Sequence, residues 1–165
     1  MEIRFLTPED VLSEVSSIYE KSWKYAYQGI IPQDYLDSIP EGRWADRITN
    51  AGMHSLVMTD GGKMIGTAGF CRSRWEQYPD FGEIVSIYFL PEYIGKGYGT
   101  QLLNRCTEEL NKLGFSKILL WVLEENTRAR AFYERNGFLC PGDCRDDMIG
   151  GKKLREVMYT KIIRG

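Results

Sequence analysis

The sequence predicts an α/β fold with a mixed central sheet of six or seven strands flanked by helices. Residues 83–90 and 118–123 are apolar on both faces, which is typical of central strands covered by helices on both sides. Each segment is followed by a helical pattern, and this alternation predicts a parallel pair joined by a right-handed crossover. The chain has 165 residues, of which 43% are hydrophobic, so we expect a single domain over residues 1–165.

The N-terminal third predicts one strand and several helices. Residues 2–6 alternate between polar and apolar side chains, as a strand does. Thr7 can cap a helix with its hydroxyl and Pro8 suits a first helical position, so we expect the first helix to begin there. Apolar residues recur at steps of three and four over residues 12–26, which continues that helix. Residues 33–51 predict one or two short helices.

A β-hairpin and a loop come next. Asp60, Gly61 and Gly62 lie between two apolar segments, and glycine supplies the positive φ that tight hairpin turns require. The second strand is expected to reach about Cys71. The polar and aromatic residues 72–81 then predict a loop that leads to the central strand.

The C-terminal half predicts two helices and an antiparallel pair of strands. The helical pattern that begins at Tyr98 ends before Gly114, a residue that suits a left-handed C-cap. Asn126 can cap the N-terminus of a second helix, which Gly137 would end. Residues 138–163 predict a closing antiparallel pair of strands with a long connection between them.

Composition and charge argue against two classes of partner. The formal net charge is -2 and the isoelectric point is near 5.6, so the chain has no broad positive field that would attract nucleic acid or an anionic membrane. The first residues do not have the pattern of a secretion signal, and no run of about 18 apolar residues occurs. We therefore expect a cytoplasmic location.

The four cysteines predict neither a disulfide framework nor a metal site. No secretion signal accompanies them, so reduced thiols are expected. Cys140 and Cys144 form the one close pair, and no second pair or histidine lies nearby in the sequence to complete a tetrahedral zinc site. Cys106 falls on the apolar stripe of the helix that begins at Tyr98. We therefore do not expect a cysteine nucleophile.

A glycine-rich loop separates the central strand 83–90 from the helix that begins at Tyr98. Glycines let the backbone turn tightly and expose its N–H groups, and a helix N-terminus carries about half a positive charge. A short strand-to-helix turn can also need glycines for its geometry alone. The spacing matches neither the dinucleotide-binding fingerprint nor the P-loop. We expect a phosphate cradle of another kind, formed by Gly95, Lys96, Gly97, Tyr98, Gly99 and Thr100.

Residues 83–138 resemble the core of the GNAT superfamily of N-acetyltransferases. The loop of that family follows the pattern Q/R-x-x-G-x-G/A, and Gly97 and Gly99 lie on its glycines. Ile94 occupies the first position instead of Gln or Arg, which removes one polar side chain near the pyrophosphate of coenzyme A (CoA). Residues 23–36 are similar, more loosely, to family members that acetylate small molecules.

The resemblance implies that acetyl-CoA binds in a cleft between two splayed parallel strands. Phe89 lies on one side of this cleft and Val122 on the other. In the family, one of these strands pairs its backbone with the pantetheine arm, and the helix that begins at Asn126 lines the other side. Asn126 can equally act as a helix cap alone. The residues that the resemblance assigns to this part of the site are Ile87, Tyr88, Phe89, Asn126 and Ala129.

The resemblance also implies two catalytic residues. Tyr133 matches the tyrosine that protonates the departing CoA thiolate, and the alternative is a packing role beside Phe132. Glu83 matches an acid that serves as base directly or through water, and the alternatives are an ion pair or a contact with a substrate ammonium. His54 is a weaker candidate base, because no carboxylate motif accompanies it.

The function implied is transfer of an acetyl group from acetyl-CoA to a primary amine of a small molecule, by direct attack in a ternary complex. Trp23, Tyr27 and Trp75 are candidates for the acceptor wall, where aromatic rings can hold a cationic amine; packing is their ordinary role. Acetylation of a protein or peptide and a non-catalytic acyl-CoA-binding module are the alternatives. The sequence specifies neither the amine nor the length of the acyl group. It also leaves open whether the chain forms a homodimer.

Overall fold

Seven strands form one sheet in the computed structural model, which describes residues 1–163. The predicted mixed α/β sheet is confirmed. Along the sheet the order is β1-β2-β3-β4-β5-β7-β6. The strands are β1 (Glu2–Phe5), β2 (His54–Asp60), β3 (Lys63–Arg72), β4 (Gly82–Phe89), β5 (Lys117–Leu123), β6 (Cys144–Ile149) and β7 (Lys152–Ile162).

Helices cover both faces of this sheet. In β2, Leu56 and Met58 belong to the buried cluster that contains Leu102, whereas Val57, between them, belongs to the cluster that contains Val15. Because successive side chains of a strand point to opposite faces, these two clusters lie on opposite sides. The helices are α1 (Leu12–Ala26), α2 (Gln33–Asp37), α3 (Ala45–Ile48), α4 (Tyr98–Lys112) and α5 (Thr127–Arg135).

β4 and β5 are parallel neighbours that separate soon after they begin. Gly82 lies opposite Ile118 and Glu83 lies opposite Leu119, and the ladder ends there. β4 nevertheless keeps its antiparallel pairing to β3 as far as Phe89. A wedge therefore opens in the sheet toward the carboxyl ends of both strands, which is where ligands bind in open α/β sheets.

The predicted hairpin is confirmed, and the prediction for the tail is partly wrong. Gly61 and Gly62 join β2 to β3 with φ values of 56° and 87°. The closing antiparallel pair exists as β6 and β7, but the expected long connection does not lie between them. Gly150 and Gly151 alone join the two strands, with φ values of 60° and 81°. The irregular stretch precedes β6 instead, over residues 139–143.

The predicted start of the first helix at Thr7 is wrong. α1 begins at Leu12, and Val11 stands at its N-cap position without a capping side chain. The backbone N–H of Thr7 donates to Oδ2 of Asp10 at 2.7 Å, and that carboxylate also binds Arg4 through both oxygens at 2.8 Å. Because Asp10 is held by Arg4 and Thr7, the segment forms a turn before the helix can begin.

Replacing Asp10 with asparagine is expected to lower the free energy of unfolding at pH 7 by about 1–2 kcal/mol. The Asp10 side chain is 9% exposed, and its hydrogen bonds with Arg4 hold its pKa well below the usual range. A depressed carboxyl pKa stabilises the folded state above the unfolded pKa of about 3.9, and this contribution is lost as the pH falls. In urea unfolding, the difference in free energy of unfolding between wild type and Asp10→Asn should be present at pH 7 and shrink below about pH 4. A difference that did not change with pH would contradict the ion pair.

Candidate active site

A cavity of about 650 Å³ fills the wedge between β4 and β5. All the site residues predicted from the sequence line it except Lys96 and Tyr98. Those two side chains lie instead against Tyr93, whose ring centroid is 5.6 Å from Nζ of Lys96 and 6.2 Å from the ring centroid of Tyr98. Lys96 and Tyr98 can therefore contribute their backbone N–H groups to the site.

The loop 94–100 presents backbone N–H groups at the N-terminus of α4. Gly95 and Gly97 have φ values of 81° and 86°, a region that favours glycine, and Gly97 is the N-cap residue. No described residue accepts a hydrogen bond from the N–H groups of residues 95–100. α4 is 15 residues long, so its dipole adds positive potential at this end. These donors fit a diphosphate such as that of CoA.

α5 lies close against this cradle and depends on a glycine to do so. A Cβ atom built on Gly99 would stand 3.2 Å from the ring of Phe132, tighter than an ordinary contact. Both residues line the cavity. A side chain at Gly99 would push the Phe132 ring away by a few tenths of an ångström, so the close approach of α5 favours glycine at this position.

Arg128 adds a positive charge beside the cradle, and the sequence analysis missed it. Its Nη2 atom lies 3.3 Å from the position that a Cβ on Gly95 would take. Arg128 lines the cavity and is exposed, and no described carboxylate lies within ion-pair distance of it. Ile94 lines the same cavity, so this cation stands near the position where the family pattern has a polar side chain. The sequence signal that could have identified Arg128 is its position two residues after Asn126, which was already assigned to the site.

Beyond Glu83, the edge of β4 presents backbone N–H and C=O groups to the cavity, because the side chains of Tyr88 and Phe89 are engaged elsewhere. The Tyr88 hydroxyl accepts a hydrogen bond from Nε1 of Trp23 at 3.1 Å. The Phe89 ring covers Gly66, where an added Cβ would come within 2.4 Å of it. Since the ladder to β5 has ended, the N–H and C=O groups on this edge can pair with an extended ligand that carries amides.

Asn126 caps α5, as predicted. Its Oδ1 atom accepts a hydrogen bond from the backbone N–H of Ala129 at 3.2 Å. Both residues line the cavity. The predicted contact of Asn126 with pantetheine stays a prediction, and the cap leaves the amide nitrogen of Asn126 available for it.

Tyr133 lies on α5 with its ring among aromatic side chains and its hydroxyl unpaired. The ring centroids of Phe132, Phe138 and Tyr159 lie 5.1, 5.7 and 6.3 Å away. The hydroxyl forms no hydrogen bond with a described residue, and the side chain lines the cavity. Burial raises the pKa of Tyr133 well above its usual value. The residue is therefore a neutral phenol at physiological pH, with a proton that it can donate.

Glu83 is the most deeply buried charged group in the cavity wall, with a side chain 1% exposed. It accepts hydrogen bonds from the backbone N–H of Arg74 at 3.1 Å and from Nε and Nη2 of that residue at 3.1 and 2.8 Å. It also accepts one from Nε1 of Trp75 at 3.1 Å. These four donors occupy both oxygens, which is the ion-pair role named above as the alternative to a base. A role as base stays a prediction that this geometry disfavours.

Two other groups with catalytic potential lie away from the cavity. His54 stands at the start of β2, where its ring stacks on Phe70 at a centroid distance of 5.2 Å. Cys106 is fully buried in α4, and burial raises its pKa to about 12. Neither residue lines the cavity, and a thiol so hard to ionise is a poor nucleophile.

The predicted aromatic residues form two parts of the cavity wall. On α1, the ring of Trp23 meets Tyr27 edge-on at 5.0 Å and lies 5.2 Å from Trp44. In the loop between β3 and β4, Trp75 lies 5.4 Å from Trp121 of β5. Both groups can contact an apolar or cationic acceptor.

The β6–β7 hairpin contributes charged residues that the sequence analysis missed. Arg145, Asp147 and Glu156 line the cavity. Nη1 of Arg145 donates to Oε2 of Glu156 at 2.7 Å, and the guanidinium lies 4.7 Å from the ring centroid of Trp75. Arg145 and Asp147 alternate along β6 and so share one face, but a charged strand gives no apolar signal of which face is buried.

Within residues 1–163, no three His, Cys, Asp or Glu side chains are grouped as a metal ion would require. No helix in this range combines the length and the apolar character needed to traverse a bilayer. The four cysteines are free thiols, of which Cys140 and Cys144 are exposed.

Comparison with known proteins identifies the family. Residues 13–138 match the acetyltransferase (GNAT) family. The chain is similar to the uncharacterised N-acetyltransferase YuaI of Bacillus subtilis, with 31% identity over 153 residues that cover 90% of this chain and 86% of the relative. It is also similar to the spermidine N(1)-acetyltransferase of Thermoplasma acidophilum, with 28% identity over 93% of this chain and 97% of the relative.

A solved structure shares the fold. The PaiA N-acetyltransferase of Thermoplasma acidophilum, in complex with coenzyme A, superposes with a TM-score of 0.74 over 98% of both chains at 24% sequence identity. The splayed strands and the N–H cradle described above are the features that the resemblance to the GNAT superfamily implied. The chain therefore belongs to the acetyltransferase (GNAT) family and is an acetyl-CoA-dependent N-acyltransferase.

Proposed function

We propose that the enzyme moves an acetyl group from acetyl-CoA to a primary amine of a small molecule, by direct attack in a ternary complex. One observation carries this proposal: a single cavity is bordered by a diphosphate cradle, by Tyr133, and by aromatic and charged residues that suit an amine. A relative 28% identical is a spermidine N(1)-acetyltransferase, which supports a small amine as the acceptor.

In this proposal, acetyl-CoA is held largely by the backbone. The N–H groups of residues 95–100 bind the diphosphate, and Arg128 adds a charge-assisted contact. The amides of the pantetheine arm pair with the free edge of β4 over residues 84–89. Asn126 approaches the arm from the opposite side of the wedge.

The chemistry is a direct acyl transfer. The neutral amine attacks the thioester carbonyl, the new C–N bond forms, and backbone N–H groups on the free edge of β4 stabilise the oxyanion. The C–S bond then breaks, and Tyr133 donates its phenolic proton to the CoA thiolate. Cys106 plays no part, since it lies outside the cavity with a raised pKa.

A small acceptor is favoured over a protein or peptide because side-chain contacts near the start and in the middle of the loop over residues 73–81 hold that loop in place. Glu83 binds Arg74 and Trp75, and the Tyr78 hydroxyl donates to the Asp143 carboxylate. Arg74 and Trp75 both line the cavity, so the loop narrows the acceptor side. We assign to Glu83 the role of anchoring this loop. An extended peptide needs an open groove instead.

The test is a panel of acceptors incubated with acetyl-CoA: polyamines, amino acids, aminoglycosides and peptides with free N-termini. Release of free CoA thiol and the mass of the product are measured for each. We expect thiol release and mono-acetylated product with at least one small amine, and none with the peptides. Transfer confined to peptides would overturn the choice of acceptor class, and binding of acetyl-CoA with no transfer to any amine would indicate a binding module.

Replacing Arg128 with alanine is expected to raise KM for acetyl-CoA about tenfold with little change in kcat, since one charge-assisted hydrogen bond to a phosphate is lost. Arg128→Lys should recover part of the affinity. The effect should weaken at higher salt, because the lost contact is electrostatic. Initial rates with acetyl-CoA and with acetyl-3′-dephospho-CoA locate the contact: an equal loss for both donors places it on the diphosphate. An unchanged KM for both donors would remove Arg128 from the site.

A further inference from the structure

The side chain of Glu156 on β7 carries one carboxylate oxygen that is free to bind a ligand. Oε2 accepts the hydrogen bond from Arg145, whereas Oε1 accepts none from a described residue. The side chain is 15% exposed and lines the cavity. A carboxylate held by one partner, with its second oxygen open to a cavity, can accept a proton or bind an ammonium.

Glu83 does not offer the same opportunity. Its oxygens already receive four hydrogen bonds from Arg74 and Trp75, and its side chain is 1% exposed. A proton acceptor must come within hydrogen-bond reach of the substrate nitrogen, and a carboxylate with all its sites occupied does so at the cost of those bonds. Of these two cavity-lining glutamates, Glu156 is therefore the one available to an incoming amine.

Tyr27, Tyr133 and Glu156 all line the cavity. Tyr27 is the C-cap residue of α1, and its ring packs edge-on against Trp23. Burial raises the pKa of Tyr27 to about 12, so its phenol stays neutral at physiological pH. The proposed general acid and the free carboxylate therefore border the same cavity.

The groups around Glu156 favour a carboxylate that is more basic than usual. Burial raises its pKa, the adjacent Arg145 and the more distant Arg74 lower it, and Asp147 raises it; the net direction is upward. Tyr27, at the C-cap of α1, is a titratable residue of the same cavity wall. The Arg145 guanidinium is itself restrained against the ring of Trp75, so Glu156 is held in one orientation.

We propose that Glu156 binds the ammonium group of the acceptor amine through its free oxygen and then removes the proton that must leave before attack. This assignment deepens the proposed function and rests on it. The substrate class is a primary amine that is cationic in solution. Glu83 then serves as the anchor of the loop that carries Trp75, rather than as the base.

The proton balance of the reaction is complete with these two residues. Glu156 takes one proton from the ammonium, and the neutral amine forms the C–N bond to the thioester carbonyl carbon. When the C–S bond breaks, Tyr133 gives its proton to the thiolate. The acetylated nitrogen loses its second proton, which restores the phenol of Tyr133 through solvent. Glu156 releases its proton to water, so one proton is produced for each amide formed.

The test compares wild type with Glu156→Gln, which keeps the shape and removes the charge. The substrate is the panel amine that the wild type acetylates fastest. We expect kcat/KM for that amine to fall about 100-fold or more, and the acid limb of its pH profile to disappear, since the wild-type limb reports ionisation of the base. The Kd of acetyl-CoA, measured by calorimetry, should stay within about twofold.

A second acceptor separates a proton acceptor from a residue that only supports the fold. Methoxyamine is neutral at pH 7 and needs no proton removed before attack, so its kcat/KM should fall less than about threefold in Glu156→Gln. Glu156→Asp should keep the acid limb at reduced rate. If both acceptors lose activity equally, or if Glu156→Gln keeps its acid limb, Glu156 is not the base. Acetyl-CoA binding by a wild type that transfers to no amine would instead refute the proposed function.

Discussion

Replacing Tyr133 with phenylalanine is expected to lower kcat by about 10²- to 10⁴-fold, the usual contribution of general acid catalysis. The phenylalanine ring fills the same space between Phe132 and Phe138, and the lost hydroxyl has no hydrogen bond to a described residue. The fold and the cradle should therefore be unaffected, and KM for acetyl-CoA should change less than about threefold. Steady-state thiol release with the fastest panel amine measures both quantities.

Tyr159→Phe is the matched control for this change. Tyr159 lies 6.3 Å from Tyr133 between ring centroids, but it bonds to Arg130 and Glu134 and does not line the cavity. It is expected to lose some stability and to keep its kcat. Because burial raises the pKa of Tyr133, the wild type should also show no loss of activity from this residue up to about pH 10. A Tyr133→Phe enzyme as fast as wild type would remove the general acid from the mechanism.

Replacing Gly97 with aspartate is expected to raise the Kd of acetyl-CoA about 100-fold, or about 2.7 kcal/mol. Gly97 is the N-cap of α4 with φ at 86°, a conformation that aspartate and asparagine tolerate better than other side chains. An aspartate there suits the helix dipole but places a negative charge where the diphosphate binds. The helix should form while the anion is repelled, which calorimetric titration with acetyl-CoA measures.

Gly97→Asn is the matched control, because it has the same shape, the same backbone demand and no charge. We expect it to weaken binding about tenfold or less, and the difference between the two variants to shrink as salt is raised. If both variants lost the same affinity for acetyl-CoA at low salt, the loss would be steric. The electrostatic account of the cradle would then be wrong.

The centre of the sheet was predictable because its pattern is local and strong. Residues 118–123 are apolar without interruption, and β5 occupies Lys117–Leu123. Gly61 and Gly62 specify a turn that few other residues can form, and Asn126 caps α5 through a contact with the third residue after it. In each case the interaction that determines the structure lies within a few residues of the signal.

The errors occurred where distant partners compete with local propensity. Thr7 and Pro8 fit the start of a helix, yet Arg4 of β1 holds the Asp10 carboxylate and shifts the start of α1 to Leu12. In the tail, the antiparallel pair was predicted, but the long connection was expected between its strands, because the charged residues of β6 give no apolar pattern that marks its bounds. Pairing to β7, with Asp146 opposite Arg155, sets those bounds instead.

The candidate site has a cofactor side that local motifs predict and an acceptor side that depends on distant contacts. Gly97 and Tyr133 belong to short motifs, so sequence alone could propose the cofactor side of the cavity. Arg145 meets Trp75 and Glu156 only because β6 pairs with β7 and β7 pairs with β5 beside the wedge, and no local signal in the sequence indicates these contacts. Trp75 and Arg145 are about 70 residues apart in the chain, and folding brings them together.

Direct transfer inside one cavity is tested by mixing the enzyme with less than one equivalent of acetyl-CoA and following thiol release on the millisecond scale. Without an amine, the account predicts no release of thiol and no gain in the mass of the protein. With the amine present, release should proceed to completion and match the acetylated product one to one. A burst of thiol before any amine is added, with an acetyl group on the protein, would contradict the account.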